Sequence, residues 1–353
     1  MTNMTETAIK ELLREWVSPK VIKHIAIHNT MVLLDIELGY PLAYAQRVQL
    51  SVHIQQSLLK LCGIDRVEMN LTWKVKAHAV QAGLKGIDGV KNVIAIGSGK
   101  DGVGKSTTTV NLALALSSLG ARVGILDADI YGPNQPQMLG VQQKPEWREN
   151  KKIAPVVAHG IQSMSIGYLI DINTPMIWRG PMVSKALQQL LHDTVWDNLD
   201  YLFIDLPPGT GDVQLTLVQK VPLCGAVIVT TPQDVALLDA RKGLEMFNKV
   251  KVPVLGVVEN MSTHICSACG DEEAIFGTGG GERMSKECGV PLLGRLPLDK
   301  TIREDADGGH PTVVAHPHDE VAQRYRETAQ CLAEKLSLQG LNYAVKFPKI
   351  VIE

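Results

Sequence analysis

From residue 90 onward, short runs of consecutive apolar residues alternate with stretches that have helical spacing. Runs that stay apolar at every position are typical of parallel strands, because helices then cover both faces of the sheet. We therefore predict an α/β fold with a mostly parallel sheet covered by helices on both faces. Five such runs and a weaker sixth supply the predicted strands: Val93–Ile96, Val123–Leu126, Leu202–Ile204, Ala226–Val229, Val254–Val258 and Leu292–Leu296.

The chain before residue 80 has a different pattern, in which short strand-like and helix-like segments follow one another. We predict a small α+β domain over residues 1–80 and a larger domain over residues 90–353. Lys76–Asp88 is expected to be a linker or the first helix of the larger domain. The predicted elements of the small domain are helix Thr5–Trp16, strand Val21–Ile27, strand Met31–Leu38, helix Arg47–Cys62 and strand Arg66–Trp73.

Composition narrows the function classes. The 353 residues carry a formal net charge of −2, so no basic field favours nucleic acid as a partner. The N-terminus lacks the apolar core of a secretory signal, and no apolar run approaches the roughly 20 residues of a membrane span. We expect a cytoplasmic protein that binds neither nucleic acid nor membranes. Cysteines are then reduced or bound to metal, and Cys62, Cys224 and Cys331 are expected in the core.

A phosphate-binding loop follows the first predicted strand of the larger domain. Residues 99–106 fit the pattern G-x-x-x-x-G-K-S/T and lead into a helix-like segment. Lys105 is expected to reach the β and γ phosphates of a nucleotide, and the Ser106 hydroxyl to bind Mg²⁺. Loop amides and the start of the helix complete the predicted nucleotide site, which comprises Gly99, Lys100, Asp101, Gly102, Val103, Gly104, Lys105, Ser106 and Thr107.

Carboxylates end two further predicted strands. Asp127 and Asp129 follow the second strand, where they either serve the Mg²⁺ shell and an attacking water or stabilise a turn. Asp205 ends another strand as a second metal-binding carboxylate. The stiff Pro-Pro-Gly turn that follows places the Gly209 N–H where it could sense a γ phosphate. Asn260, after a further strand, either contacts the adenine edge or is a turn residue.

Cys266 and Cys269 form a C-x-x-C pair. Two thiolates at this spacing can bind one metal, but they supply only half of a four-thiolate site. The other ligands come either from a second copy of the chain or from His264 and Cys288, which would make a zinc site. A redox pair of the thioredoxin type is disfavoured, because the surrounding segment is a glycine-rich loop rather than a helix start.

Taken together, these motifs resemble the deviant phosphate-loop ATPases, and within that group the Mrp/ApbC family of iron–sulfur cluster carriers. Lys100 falls on the signature lysine of the group. The segments before residue 80 resemble the MIP18 domain that often precedes this ATPase. The segments that carry the resemblance in the larger domain are Val123–Gly132, Trp178–Pro181, Phe203–Asp212, Thr230–Asp234, Asn260–Gly270 and Phe276–Gly281.

The resemblance implies an ATPase that holds a 4Fe–4S cluster at a homodimer interface and passes it from donor proteins to apo iron–sulfur proteins. Cys266 and Cys269 would bind half of the cluster, and Lys100 would reach the phosphates held by the other subunit. Asp129 would position the attacking water, and Asp205 with Ser106 would hold Mg²⁺. Two alternatives are a positioning ATPase of the MinD/ParA kind and an ATPase with a structural zinc site.

Asp101 departs from the family pattern, which has glycine at this position of the loop. A carboxylate close to the γ phosphate costs electrostatic energy unless it turns to solvent or pairs with Lys100. Its Cβ also crowds the attacking water or the partner's lysine. We therefore expect ATP to bind but to be hydrolysed slowly.

Overall fold

The computed structural model describes residues 5–170, 180–266 and 269–342. The chain divides into two compact units, Met1–Lys76 and Ala77–Glu353. Three parts used in the sequence analysis lie outside the described residues. They are residues 178–179 of the Trp178–Pro181 segment, the two residues between Cys266 and Cys269, and the C-terminal residues 343–353.

The first unit is a three-stranded sheet with two helices. Its strands pair in the order β1-β2-β3, with β1 antiparallel and β3 parallel to the central strand. Strand β2 alternates buried and half-buried positions, as expected when one face of a sheet meets the core. The elements are α1 Glu6–Leu13, β1 Ile22–His28, β2 Met31–Leu38, α2 Tyr44–Leu59 and β3 Arg66–Trp73.

Helix α2 differs most from its predicted bounds of Arg47–Cys62. It begins three residues earlier and ends at Leu59, before Gly63 turns the chain with a φ of +88°. A left-handed φ favours glycine and ends a helix. Cys62, expected in the core, is exposed in this turn.

The second unit contains an eight-stranded sheet and a separate two-stranded hairpin. Its strands are β4 Val90–Ser98, β5 Val123–Asp127, β6 Val156–Ala158, β7 Ile161–Ser165, β8 Leu199–Asp205, β9 Gly225–Thr230, β10 Val254–Glu259, β11 His264–Ile265, β12 Glu272–Glu273 and β13 Leu292–Arg295. Its helices are α3 Lys105–Ser118, α4 Gln135–Met138, α5 Gly180–Asp193, α6 Asp212–Lys220, α7 Asp234–Lys249, α8 Gly280–Cys288, α9 Lys300–Asp307, α10 Thr312–Ala315 and α11 Glu320–Ser337.

The large sheet confirms the predicted α/β class. Its strand order is β13-β10-β9-β4-β8-β5-β7-β6, and every neighbouring pair is parallel except β6 with β7. Flanking helices pack with one another, α3 with α11, α5 with α6 and α7 with α8. All six predicted strands are present. In the segment predicted as a linker or first helix, Lys76–Asp88, the chain forms turns and no helix.

The antiparallel edge β6–β7 was not predicted, for two physical reasons. Strand β6 is three residues long, and its central Val157 is 60% exposed. Strand β7 mixes polar and apolar residues, so it lacks the continuous apolar run that marks an interior parallel strand.

Strand register brings the carboxyl ends of the central strands to one level. Asp205 on β8 pairs with Asp127 on β5 and with Ile96 on β4. Loops that follow parallel strands meet at this edge of the sheet, where open α/β sheets bind ligands. Among the described residues, no helix is both long enough and apolar enough to cross a membrane.

Candidate functional site: a nucleotide cavity and a cysteine hairpin

The phosphate loop joins the buried strand β4 to helix α3. Gly104 has a φ of +79° and precedes the first residue of α3. A Cβ at Gly104 would lie 2.2 Å from Asn260 Nδ2, and a Cβ at Gly99 would lie 2.1 Å from the carbonyl carbon of Asp239. Glycine is therefore required at both positions by space and, at Gly104, also by backbone conformation. The loop, with Asp129 and other side chains, lines a cavity of about 230 Å³.

Lys105 forms a buried ion pair at the base of this cavity. Its Nζ lies 2.6 Å from Asp205 Oδ1, and the two side chains are only 6% and 1% exposed. The same Nζ lies 3.2 Å from Ser106 Oγ. Buried charges require a partner, so Asp205 supplies here the negative charge that a phosphate would supply to Lys105. The structure thus brings together three of the predicted site residues.

Both carboxylate oxygens of Asp205 are engaged. Thr109 Oγ1 donates to Oδ1 at 3.2 Å, and Gln135 Nε2 donates to Oδ2 at 2.9 Å. Gln135 Nε2 also donates to the Ser106 carbonyl at 3.1 Å. Gln135 was missed by the sequence analysis, because neither a motif nor its position in the four-residue α4 distinguishes it from a surface residue.

Asp127 and Asp129 have different surroundings. Asp127 is fully buried and accepts hydrogen bonds from the N–H groups of Asp129 and Gln135 and from Ser165 Oγ. Burial, followed by the nearby charge of Asp205, raises the pKa of Asp127 to about 8. Asp129 lines the cavity, and burial raises its pKa as well. The turn interpretation therefore suits Asp127, whereas Asp129 is the carboxylate at the cavity.

Lys100 and Asp101 do not pair with each other. Asp101 is exposed, and its Oδ1 accepts the Gly102 N–H at 2.8 Å. One amide of the phosphate loop is therefore already occupied. Lys100 is half-buried and, within the part of the chain that the structure describes, takes part in no ion pair.

The loops after β8 and β10 hydrogen-bond to the phosphate loop or to the strand before it. Asn260 Nδ2 donates to the Val103 carbonyl at 2.9 Å, and the Gly209 N–H donates to the Ser98 carbonyl at 3.0 Å. The predicted adenine contact of Asn260 and γ-phosphate contact of Gly209 stay predictions. In this structure both groups hydrogen-bond to the loop or to the strand before it.

The residue before Asn260 fixes a second loop. Glu259 is 1% exposed, accepts a hydrogen bond from Ser262 Oγ at 2.6 Å, and also accepts the Gly281 N–H at the start of α8. A Cβ at Gly281 would lie 2.9 Å from Glu259 Oε2. The end of β10 therefore holds the phosphate loop through Asn260 and the glycine-rich loop through Glu259.

The cysteine pair lies in the turn of the small hairpin. Strands β11 and β12 pair antiparallel, His264 with Glu273 and Ile265 with Glu272. The Cys266 N–H donates to the Asp271 carbonyl, and the Gly270 N–H donates to the Cys266 carbonyl, both at 2.8 Å. Cys266 is half-buried and Cys269 is exposed, so the hairpin presents Cys269 to solvent.

His264 and Cys288, the alternative zinc ligands from the same chain, each have their own contacts and burial. His264 Nδ1 lies 3.0 Å from the Leu298 carbonyl. Cys288 is half-buried at the end of α8, and burial raises the pKa of its thiol. Across residues 5–170, 180–266 and 269–342, no group of three or more His, Cys, Asp or Glu side chains is arranged to hold a metal ion.

A phosphate loop after a central parallel strand, with carboxylates at the neighbouring strand ends, defines a P-loop NTPase. The family model described as ParA: NUBPL iron-transfer P-loop NTPase matches residues 89–333, and the chain belongs to this family. The iron-sulfur cluster carrier protein of Haemophilus influenzae is 48% identical over 349 residues, which cover 96% of this chain and 94% of that protein. The iron-sulfur cluster carrier protein of Escherichia coli K12 is 50% identical over 323 residues, which cover 91% of this chain and 87% of that protein.

Solved structures agree with the fold. A nucleotide-binding protein from Archaeoglobus fulgidus, in complex with ADP, matches with a TM-score of 0.57 and 35% identity, covering 66% of this chain and 91% of that one. The cell division ATPase MinD of Pyrococcus furiosus matches with a TM-score of 0.52 at 23% identity, covering 68% of this chain and 98% of that one. The likeness to MinD concerns the fold alone. The resemblance of the first unit to the MIP18 domain stays a prediction.

Proposed function

We propose that this chain is an ATP-dependent carrier that holds an iron–sulfur cluster on Cys266 and Cys269 and delivers it to apo-proteins. The observation that carries the proposal is that the chain connects the nucleotide site to the cysteine hairpin over a few residues. A solvent-facing thiol pair stands six residues after Asn260, which supports the phosphate loop. The names of the Haemophilus influenzae and Escherichia coli relatives favour the same function.

We infer that two copies of the chain share one 4Fe–4S cluster. Such a cluster takes four thiolates, and each chain contributes the two of Cys266 and Cys269. Among the described residues of one chain, no group of three or more His, Cys, Asp or Glu side chains is arranged to hold a metal ion. Lys100, half-buried and without an ion pair in the described part of its own chain, is then available to the phosphates bound by the partner.

In the proposed ATP complex, phosphates replace Asp205 as the partner of Lys105. Lys105 leaves Asp205 for the β and γ phosphates, and the loop amides hold the phosphate oxygens. Asp129, the carboxylate at the cavity, orients the attacking water. Burial raises the pKa of Asp129 above its ordinary value, which makes its carboxylate a stronger proton acceptor.

The residues around Asp205 fit a magnesium ion. Carboxylate and hydroxyl oxygens are the ligand types that Mg²⁺ prefers, and Asp205 with Ser106 provides one of each. Gln135 Oε1, next to them, is buried without a hydrogen-bond partner, as expected of an atom that accepts from a water around a cation. When bound, the ion neutralises charge on the β and γ phosphates.

We propose that hydrolysis is slow because of Asp101. Its carboxylate occupies the Gly102 N–H, one of the amides that would otherwise face phosphate oxygens, and adds negative charge beside them. Slow turnover suits a carrier, in which nucleotide state sets how long a cluster is held. The recipients are apo iron–sulfur proteins and the donors are cluster assembly proteins, in the cytoplasm.

Metal analysis of protein purified without oxygen tests the proposal. Anaerobic reconstitution should give about two irons per chain with a brown chromophore, since one cluster of four irons serves two chains. ATP should bind in the same preparation. Stoichiometric zinc without a chromophore would instead support the structural zinc site. ATP-dependent binding to lipid vesicles or DNA would support the positioning ATPase.

A further inference from the structure

Gln135 is a polar side chain inside the nucleotide site. It is the first residue of α4 and is 0% exposed. Its amide nitrogen bridges Asp205 Oδ2 and the Ser106 carbonyl, at 2.9 and 3.1 Å. Its main-chain N–H donates to Asp127 Oδ2 at 3.2 Å. The amide oxygen Oε1 is buried and has no hydrogen-bond partner among the residues that the structure describes.

Burying the Gln135 amide oxygen is energetically costly unless a further group donates a hydrogen bond to it. A buried amide oxygen that gains no hydrogen bond loses its hydration without compensation. An apolar side chain of the same size would fill the space without that cost. The two groups that the amide nitrogen holds belong to Asp205 and Ser106, the residues proposed above to bind Mg²⁺.

Asp205 depends on Gln135 once a nucleotide is bound. In the structure, Oδ1 of Asp205 faces Lys105 and Thr109, and Oδ2 faces Gln135. When Lys105 turns to the phosphates, Thr109 and Gln135 are the donors that remain. A carboxylate oriented by donors on both oxygens presents fixed lone pairs to a cation, as outer ligands do at metal sites.

We propose that Gln135 is a positioning residue for the divalent cation of the bound nucleotide. Its amide nitrogen fixes the Asp205 carboxylate and the Ser106 main chain, and its amide oxygen accepts a hydrogen bond from a water bound to the cation. The inference rests on the proposed function of this site as an Mg²⁺–ATP site. It assigns to α4 a part in cation binding that the phosphate-loop motif does not contain.

The test measures how much Mg²⁺ strengthens binding of a non-hydrolysable ATP analogue. Dissociation constants are measured with Mg²⁺ and with EDTA, for the wild type, Gln135→Met and the control Gln137→Met. Methionine keeps the volume of glutamine but has no amide. Gln137 lies on the same helix and is exposed. Thermal unfolding without nucleotide establishes that each variant is folded, and Gln135→Leu provides a second apolar variant.

The factor by which Mg²⁺ strengthens binding of the analogue should be about tenfold smaller for Gln135→Met than for the wild type. This is the size expected when a hydrogen bond to a charged group is removed. The affinity of Gln135→Met in EDTA should match the wild type, and Gln137→Met should behave as the wild type in both. A Gln135→Met or Gln135→Leu protein that keeps the full Mg²⁺ gain would overturn the inference, because Gln135 would then only fill space. A wild type that binds no ATP would overturn the proposed function instead.

Discussion

The nucleotide cavity and the cysteine hairpin are built in opposite ways. Around Lys105 and Asp205, the ammonium group and both carboxylate oxygens meet partners from other elements of the sheet edge. The hairpin consists of two strands of two residues each, and its Cys269 is exposed. The nucleotide cavity is bounded by contacts between several elements of one chain, whereas the hairpin carries two thiols on a short two-stranded turn.

On the proposed function, a second copy of the chain acts at both regions. It would add its Lys100 to the nucleotide contacts and would supply the other two thiolates of the cluster. Across the described residues, no group of three or more His, Cys, Asp or Glu side chains is arranged to hold a metal ion. The end of β10 connects the two regions, because Asn260 supports the phosphate loop and the cysteine hairpin follows a few residues later.

Removing a thiol from the hairpin should have the largest effect. Either Cys266→Ser or Cys269→Ser should abolish cluster binding, because a site left with half of its thiolates cannot hold a 4Fe–4S cluster stably. Iron content and absorbance after anaerobic reconstitution measure the loss. Cys62→Ser is the matched control, since Cys62 is also exposed but lies in the first unit. A cluster lost equally in Cys62→Ser would contradict the assignment.

Breaking the buried ion pair should have the next largest effect. Lys105→Met leaves the carboxylate of Asp205 buried without its cation, which should lower the free energy of unfolding by about 3–5 kcal/mol. Equilibrium urea denaturation without nucleotide measures the change. The double variant Lys105→Met/Asp205→Asn should recover much of the stability.

Lys100→Met provides the control for this effect. Lys100 belongs to the same loop but forms no ion pair in the described structure, so its stability should change little. Equal stabilities of Lys105→Met and the wild type would refute the importance of the pair.

Removing the support of the phosphate loop should have a moderate effect. Asn260→Ala deprives the Val103 carbonyl of its donor and opens space beside Gly104. ATP affinity should fall about tenfold, as for one buried hydrogen bond lost. Isothermal titration calorimetry measures it, with the exposed Asn248→Ala on α7 as control. If Asn260→Ala binds ATP as the wild type does, Asn260 does not support the loop.

Replacing Asp101 should have the smallest effect. Asp101→Gly frees the Gly102 N–H and removes a negative charge near the phosphates. The single-turnover rate of ATP hydrolysis should rise about fivefold, the equivalent of roughly 1 kcal/mol of electrostatic stabilisation near the surface. Equal rates for the two proteins would remove Asp101 as the cause of slow hydrolysis.

Motifs and apolar runs predicted the interior of the molecule well. Strands β2 and β3 have the predicted bounds, and β5 differs by one residue, because continuous or alternating apolar patterns report burial directly. Lys105, Ser106 and Asp205 lie together because parallel strands end at one edge, and their predicted roles stay predictions. The edge pair β6–β7 was missed, since its short strands are partly exposed and carry no such pattern.

Side-chain partners in the site were harder to predict. The motif at residues 99–106 describes a nucleotide complex, so it gave no indication that Lys105 pairs with Asp205 when no phosphate is present. Gln135 depends on how α4 folds back over the strand ends, and single-sequence patterns contain no such information. The contact of Asn260 with Gly104 depends likewise on the packing of two separate loops.

Native mass spectrometry of the anaerobically reconstituted protein tests the central claim most directly. If each chain holds half of a cluster site, the iron should be found only in species of two chains carrying one cluster of four irons. That species should disappear in Cys266→Ser. A single chain that carries a whole cluster, or two chains joined around zinc alone, would contradict the account.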